Sequence, residues 1–151
     1  MSLRERIDAD IKTAMKSKEK VRLETVRSIK KVLLEKEVSA RPETLTESQE
    51  LEVLVQIAKQ RRDSIEQYQK AGRDDLANQE AAELAIIEEY LPTQMSDEEV
   101  NAIIDEIIVS VGATSAKDMG KVMGGAMQQL KGKADGKKIQ DLVKAKLALL
   151  N

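Results

Sequence analysis

Apolar residues recur along this chain at spacings of three and four, and nowhere in strict alternation, so the pattern predicts helices throughout. Leu3, Ile7, Ile11, Ala14 and Met15 share one stripe, which Ser2 is placed to cap and which ends near Ser17. From about Glu19 to Val38, Leu23, Val26, Ile29, Leu33 and Leu34 form a face wide enough for more than one neighbour. Arg22, Arg27, Lys30 and Lys31 lie around it, as a basic patch or in helix-surface pairs with Glu24, Glu35 and their neighbours. The polar segment around Pro42 is a loop, and Thr46 with Gln49 has the spacing of a capping box. A long helix follows, with Leu51, Leu54, Val55, Ala58, Ile65 and Tyr68 on its core face, and Gly72 ends it. Asp74 and Asp75 open a fourth helix that turns Leu76, Leu84, Ile87 and Leu91 inward and is stopped by Pro92.

The proline and the short polar stretch after it mark a boundary between residues 1–92 and 93–151. Beyond it, Ser96 and Glu99 repeat the capping-box spacing, and Val100, Ile103, Ile104, Ile107 and Ile108 build an apolar helix that runs to Gly112. Ser115 opens a glycine-bearing helix, and Asp135 is the expected N-cap of a last helix reaching about Leu150. The expected fold is all-α: an N-terminal domain of about four helices and a small C-terminal three-helix bundle.

The glycine-bearing helix holds most of the candidate chemistry. Met119, Val122, Met123, Ala126 and Leu130 form its core face, while Gly120, Gly124, Met127 and Lys131 make a second strip, with Gly125 alongside. A glycine inside a helix costs about 0.8 to 1 kcal/mol relative to alanine, so these positions need a reason. Bare backbone admits either a neighbouring helix or a ligand, and the pattern leaves both open. Past Gly132 and Lys133, residues Gly136, Lys137 and Lys138 sit at the N-terminus of the last helix, where free N–H groups and the helix dipole favour a phosphate. Asp135 is expected to take one of those donors for itself.

The 151-residue chain contains no Phe, Trp, Cys or His, which excludes disulfides, thiol chemistry, zinc fingers and any nucleophile that relies on a histidine base. No cofactor or metal is implied, and no phosphate-binding loop motif is present, since Gly132, Gly136 and Lys137 are wrongly spaced for one. Carboxylate runs such as Glu88-Glu89, Asp97-Glu98-Glu99 and Asp105-Glu106 fall on first turns or outer faces, where they are solvated. Arg62 lies on the apolar stripe of the long helix, so it and Arg61 are expected to form a structural ion pair with the acidic helix carrying Glu80, Glu83, Glu88 and Glu89. No apolar run approaches the ~18 residues of a membrane span, and the charged start suggests neither leader nor anchor, so a cytoplasmic location is expected.

The net charge of −2 conceals segregation. Lys and Arg exceed Asp and Glu by 17 to 13 in residues 1–73, number 0 against 11 in 74–106, and lead by 8 to 3 in 107–151. A polyanion would therefore be drawn to one end and repelled from the middle. Lys117, Lys121, Lys131, Lys133, Lys137, Lys138, Lys144 and Lys146 offer phosphate contacts, but the basic segment has neither arginine nor tyrosine. Recognition of nucleic acid there would rest on shape and backbone, not on base stacking.

The run KQRRDSIEQYQKAGRDDLANQEAAELAIIEEYLP, followed by GKVMGGAMQQLKGKADGKKIQDLVKAKL, closely resembles the YqeY family, stand-alone bacterial proteins that share a domain with GatB. GatB is a subunit of the glutamine-dependent amidotransferase that amidates misacylated tRNA. The resemblance covers nearly the whole chain and implies an all-helical fold with a larger N-terminal part. It also implies that tRNA is the partner, with a protein of tRNA amidation as a possible second one. Carried over by motif, the tRNA-facing set is Gly120, Lys121, Gly124, Lys131, Gly132, Lys133, Asp135, Gly136 and Lys137, with Lys138 beside them. The family's association with carbon–nitrogen ligase activity, glutamine being the amido-N donor, belongs to a catalytic domain that has no counterpart here, so no catalytic residue is assigned. The expectation is a tRNA-binding module, set against a protein-interaction module whose glycine strip seats a partner helix, and against a ligase in its own right.

Overall fold

The computed structural model describes residues 1–150, and among them the only regular elements are helices: α1 (Leu3–Ser17), α2 (Lys20–Ala40), α3 (Glu47–Lys70), α4 (Asp74–Glu88), α5 (Asp97–Val111), α6 (Met119–Leu130) and α7 (Gly136–Ala148). They fall into two compact units, one of residues Met1–Pro92 and one beginning at Thr93.

Local chemistry sets where the helices start and stop. The Ser2 hydroxyl accepts the Glu5 N–H at 3.2 Å while the Glu5 carboxylate accepts the Ser2 N–H at 3.1 Å. Thr46 and Gln49 make the same reciprocal pair at 3.1 and 2.9 Å, so each box satisfies two otherwise orphaned donors. At α5 only half the box forms. Ser96 accepts the Glu99 N–H at 3.2 Å, but its hydroxyl lies 3.1 Å from the Glu99 carboxylate, which has turned to it in place of the Ser96 backbone. Gly112 closes α5 in the left-handed conformation, φ +67°, which a side chain would resist.

In the first unit α1 pairs with α2 and α3 with α4 across short turns, and α2 packs on α4. Ile7, Val26, Ile29, Leu33, Leu54, Ile57, Ile87 and Leu91 are among the buried side chains. The buried face of α3 is Val53, Leu54, Ile57 and Ala58: Leu54 and Ala58 lie on the expected stripe and Leu51 and Val55 pack partly buried beside them, whereas Ile65 and Tyr68 are only half-buried. Because α3 touches α2 as well as α4, its buried sector turns toward Val53 and Ile57. The cations of α2 also differ from expectation. Arg22 meets Asp10 at 3.3 Å and Glu89 at 2.7 Å, and Lys30 meets Asp8 at 2.7 Å, all outside α2 itself. Tyr90 closes this unit: its hydroxyl donates to Asp10 at 2.5 Å, and the Arg6 guanidinium lies over its ring, 5.1 Å from the centroid. Burial, then the bond to Asp10, pushes the phenol well above its ordinary value.

The second unit surrounds its own core of Val100, Ile104, Ile107, Val122, Ala126, Leu130, Ile139, Val143 and Leu147. Ser115 does not start α6 directly. A 3-10 turn, Ala116–Asp118, comes first, because the Asp118 carboxylate accepts the N–H of Thr114 at 2.8 Å and of Ser115 at 3.3 Å and tightens the backbone there. Those backbone bonds, the one from Thr114 first, hold Asp118 below the usual carboxylate range.

Candidate nucleic-acid interface

The glycines of α6, equivalent in sequence, are not equivalent in space. A Cβ built on Gly125 would lie 3.0 Å from the Ile107 side chain of α5, closer than the roughly 3.5 to 4.0 Å at which carbon atoms normally rest. Gly125 is therefore where α5 and α6 approach. Gly120 and Gly124 are open to solvent at Cα, and a Cβ on either would meet no atom within 4 Å. Packing within this unit accounts for one glycine and leaves the other two as open backbone, with Lys121 exposed on the same helix.

The strip leads to a tight turn. Lys133 N–H and Ala134 N–H both reach the Leu130 carbonyl, at 2.8 and 3.3 Å, and Gly132 adopts φ +79°. The segment before α5 pins the turn from below: Gln94 donates to the Gly132 carbonyl at 2.6 Å and the Met95 N–H to the Lys133 carbonyl at 2.8 Å. Gly132 is thus buried and structural, and it does not share the surface with Gly120 and Gly124. By helical rise Gly120 and Leu130 stand about 15 Å apart along α6, and Gly132 lies in the turn beyond, so the candidate residues are spread along an extended ridge.

At the far end of the turn, Asp135 occupies the N-cap position of α7 with extended backbone, φ −66° and ψ 130°, but its side chain makes no capping bond to the helix. The helix uses its carbonyl, which accepts the Ile139 N–H at 3.0 Å. The expectation that Asp135 occupies one of the first-turn donors through its carboxylate is corrected accordingly. Gly136 begins α7 half-buried, and Lys137 is exposed beside it. Lys138 forms an ion pair with Asp97 on α5, and Lys146 pairs with Asp105 of the same helix at 2.7 Å, so these two cations are directed to α5. Lys131 and Lys133 are half-buried in the turn.

Arg61 and Arg62 belong to the first unit. Arg61 Nε lies 3.4 Å from Glu80 and 3.2 Å from Glu83, and Arg62 lies 3.4 Å from Glu88. These separations hold α3 to α4 by charge more than by directed hydrogen bonds. Sequence inspection missed Gln94, Met95 and the Asp118 turn. Only the Asp118 spacing after Ser115 carried a signal, that of a capping box.

Comparison with known proteins places the chain in a family. The family model described as Yqey-like protein matches residues 4–147. The chain belongs to this family. Among relatives of the Yqey-like chain is the altered inheritance of mitochondria protein 41 of Pyrenophora tritici-repentis, 36% identical over 93% of this chain and 81% of that protein. Its counterpart in Kluyveromyces lactis is 31% identical over 93% of this chain and 74% of that protein. A glutamyl-tRNA(Gln) amidotransferase subunit from Thermococcus gammatolerans is 33% identical over 57% of this chain, a match that occupies only 14% of that much longer protein. The expected cytoplasmic location is overturned by the two fungal relatives, whose names place them in mitochondria. With fungal proteins in the family, the expected restriction to bacteria falls with it. Among the described residues no helix is long and apolar enough to cross a membrane, and no group of three or more carboxylates is arranged to hold a metal ion.

Proposed function

We propose that the second unit of this Yqey-like protein binds tRNA through its phosphate backbone, as a non-catalytic module serving glutamine-dependent tRNA amidation. The observation that carries this reading is the open backbone at Gly120 and Gly124, which helix packing leaves unexplained, on the helix that bears Lys121 and leads to Lys131, Lys133 and Lys137. The likeness to part of a glutamyl-tRNA(Gln) amidotransferase supports tRNA as the polyanion. A phosphate group can approach a glycine backbone more closely than any side chain allows, while lysines act as point charges without fixing a base. Without aromatic or arginine side chains in residues 107–151, sequence preference is weak and shape dominates.

The test is equilibrium binding of tRNA across a salt series to the intact protein and to a variant with Lys121, Lys131, Lys133 and Lys137 all changed to Ala. Each phosphate contact contributes about 0.7 to 0.9 to the slope of log affinity against log salt, so the variant should bind more weakly with a slope shallower by about three. An unchanged slope removes the ridge as the binding site.

A further inference from the structure

The α1–α2 hairpin carries an apolar surface that the core does not use. Val26, Ile29 and Leu33 of α2 face inward, yet Leu34 and Val38 remain 40% and 56% exposed. At about 100° per residue, Arg27, Lys31, Leu34 and Val38 fall within a sector of roughly 60°, cations on the N-terminal half and apolar side chains on the C-terminal half. Around them runs a groove of about 590 Å³ that Lys30 and Glu35 also line. Lys30 is held by Asp8, and Arg22 by Asp10 and Glu89. Arg27 instead rests its guanidinium 3.9 Å from the Met15 sulfur, and among the described residues neither it nor Lys31 has a carboxylate partner.

We propose that this face docks an acidic amphipathic helix of a partner protein. Two apolar residues one turn apart would cover Leu34 and Val38, and carboxylates further along would meet Arg27 and Lys31. From Arg27 to Val38 the strip is about 16 Å long, so the occupant needs at least three turns. A second copy of this chain fits poorly. Parallel α2 helices would set cation against cation, and antiparallel ones would press Arg27 and Lys31 onto the apolar half with only Glu35 at the rim to meet them.

The test uses the full chain and a synthetic helix-stabilised peptide with Leu one turn apart and Glu one and two turns further on the same face, beside an isomer with Lys in place of Glu. The Glu peptide should bind, and Leu34→Ser with Val38→Ser should weaken it by about ten-fold or more. Arg27→Glu with Lys31→Glu should weaken it similarly and transfer binding to the Lys peptide. These positions are exposed, so circular dichroism should show both variants folded. Failure of the Glu peptide to bind, or binding indifferent to both variants, overturns the proposal. So does either of two substitutes found without peptide binding: attachment to phosphatidylglycerol vesicles lost in the same variants, or a dimer lost in Leu34→Ser with Val38→Ser.

Discussion

Gly124 and Gly125 are neighbours inside one helix, so they have the same local propensity, and only their surroundings separate the effects of replacing them. Gly124→Ala adds a methyl into open space and should gain the full helix preference, about 0.8 to 1 kcal/mol. Gly125→Ala gains the same preference but sets its methyl 3.0 Å from the Ile107 side chain, in a core position that is 4% exposed. Overpacking of this kind costs about 1 to 3 kcal/mol, so the net result should run from no change to a loss of about 2 kcal/mol. Tyr68 and Tyr90 both lie in the first unit and cannot report on α6, which makes amide hydrogen exchange of Val122, Ala126 and Leu130 the suitable assay. Protection there should rise about five-fold in Gly124→Ala and stay level or fall in Gly125→Ala. Equal gains in both would refute the close approach of α5 to Gly125. A loss at Gly124 would show that its backbone is already covered, and the open strip would go with it.

Three other perturbations test the rest of the structure. Tyr90→Phe removes a hydrogen bond to a charged group and should destabilise the first unit by about 1.5 to 3 kcal/mol in urea denaturation followed by circular dichroism. Because the Tyr90 phenol is raised in the folded state, its contribution is complete below the unfolded value near 10 and is lost as pH climbs above it. The gap between wild type and Tyr90→Phe should therefore narrow at alkaline pH. Arg61→Met leaves Glu80 and Glu83 facing each other, one turn apart and about four-fifths covered, and should cost about 1 to 2 kcal/mol, less in high salt; no loss would mean that the arginine holds nothing. Asp118 is lowered, so its hold on Thr114 and Ser115 is present above about pH 3.8 and should weaken as pH falls through the folded value; protection of those two amides relative to their intrinsic exchange rate should fall there, and should also be lower at neutral pH in Asp118→Ala.

The helical class and most helix ends were legible because their causes are local. A hydroxyl followed three residues later by Glu or Gln, or a glycine free to take positive φ as Gly112 does, needs no tertiary information. What depends on neighbours was less legible. The buried face of α3 turned toward Val53 and Ile57 because two helices press on it, and the periodicity of α3 alone cannot count its neighbours. Asp10, Arg22, Glu89 and Tyr90 come together from opposite ends of the first unit's sequence, with no spacing to announce them. At the ridge, sequence could mark the glycines as costly but could not say which of them α5 covers. The 100° between Gly124 and Gly125 becomes informative only once Ile107 is in place. The same applies to Lys138 and Gly132, one drawn to Asp97 and the other buried beside Gln94.

The central claim is recognition of tRNA by shape along the α6 ridge, and the most direct measurement is binding of total tRNA and of a plain RNA duplex of similar charge, each across a salt series. The account predicts tighter binding to tRNA that persists near physiological salt. Equal, weak binding of both that vanishes as salt rises would contradict it and reduce the basic end of the chain to a solvated surface.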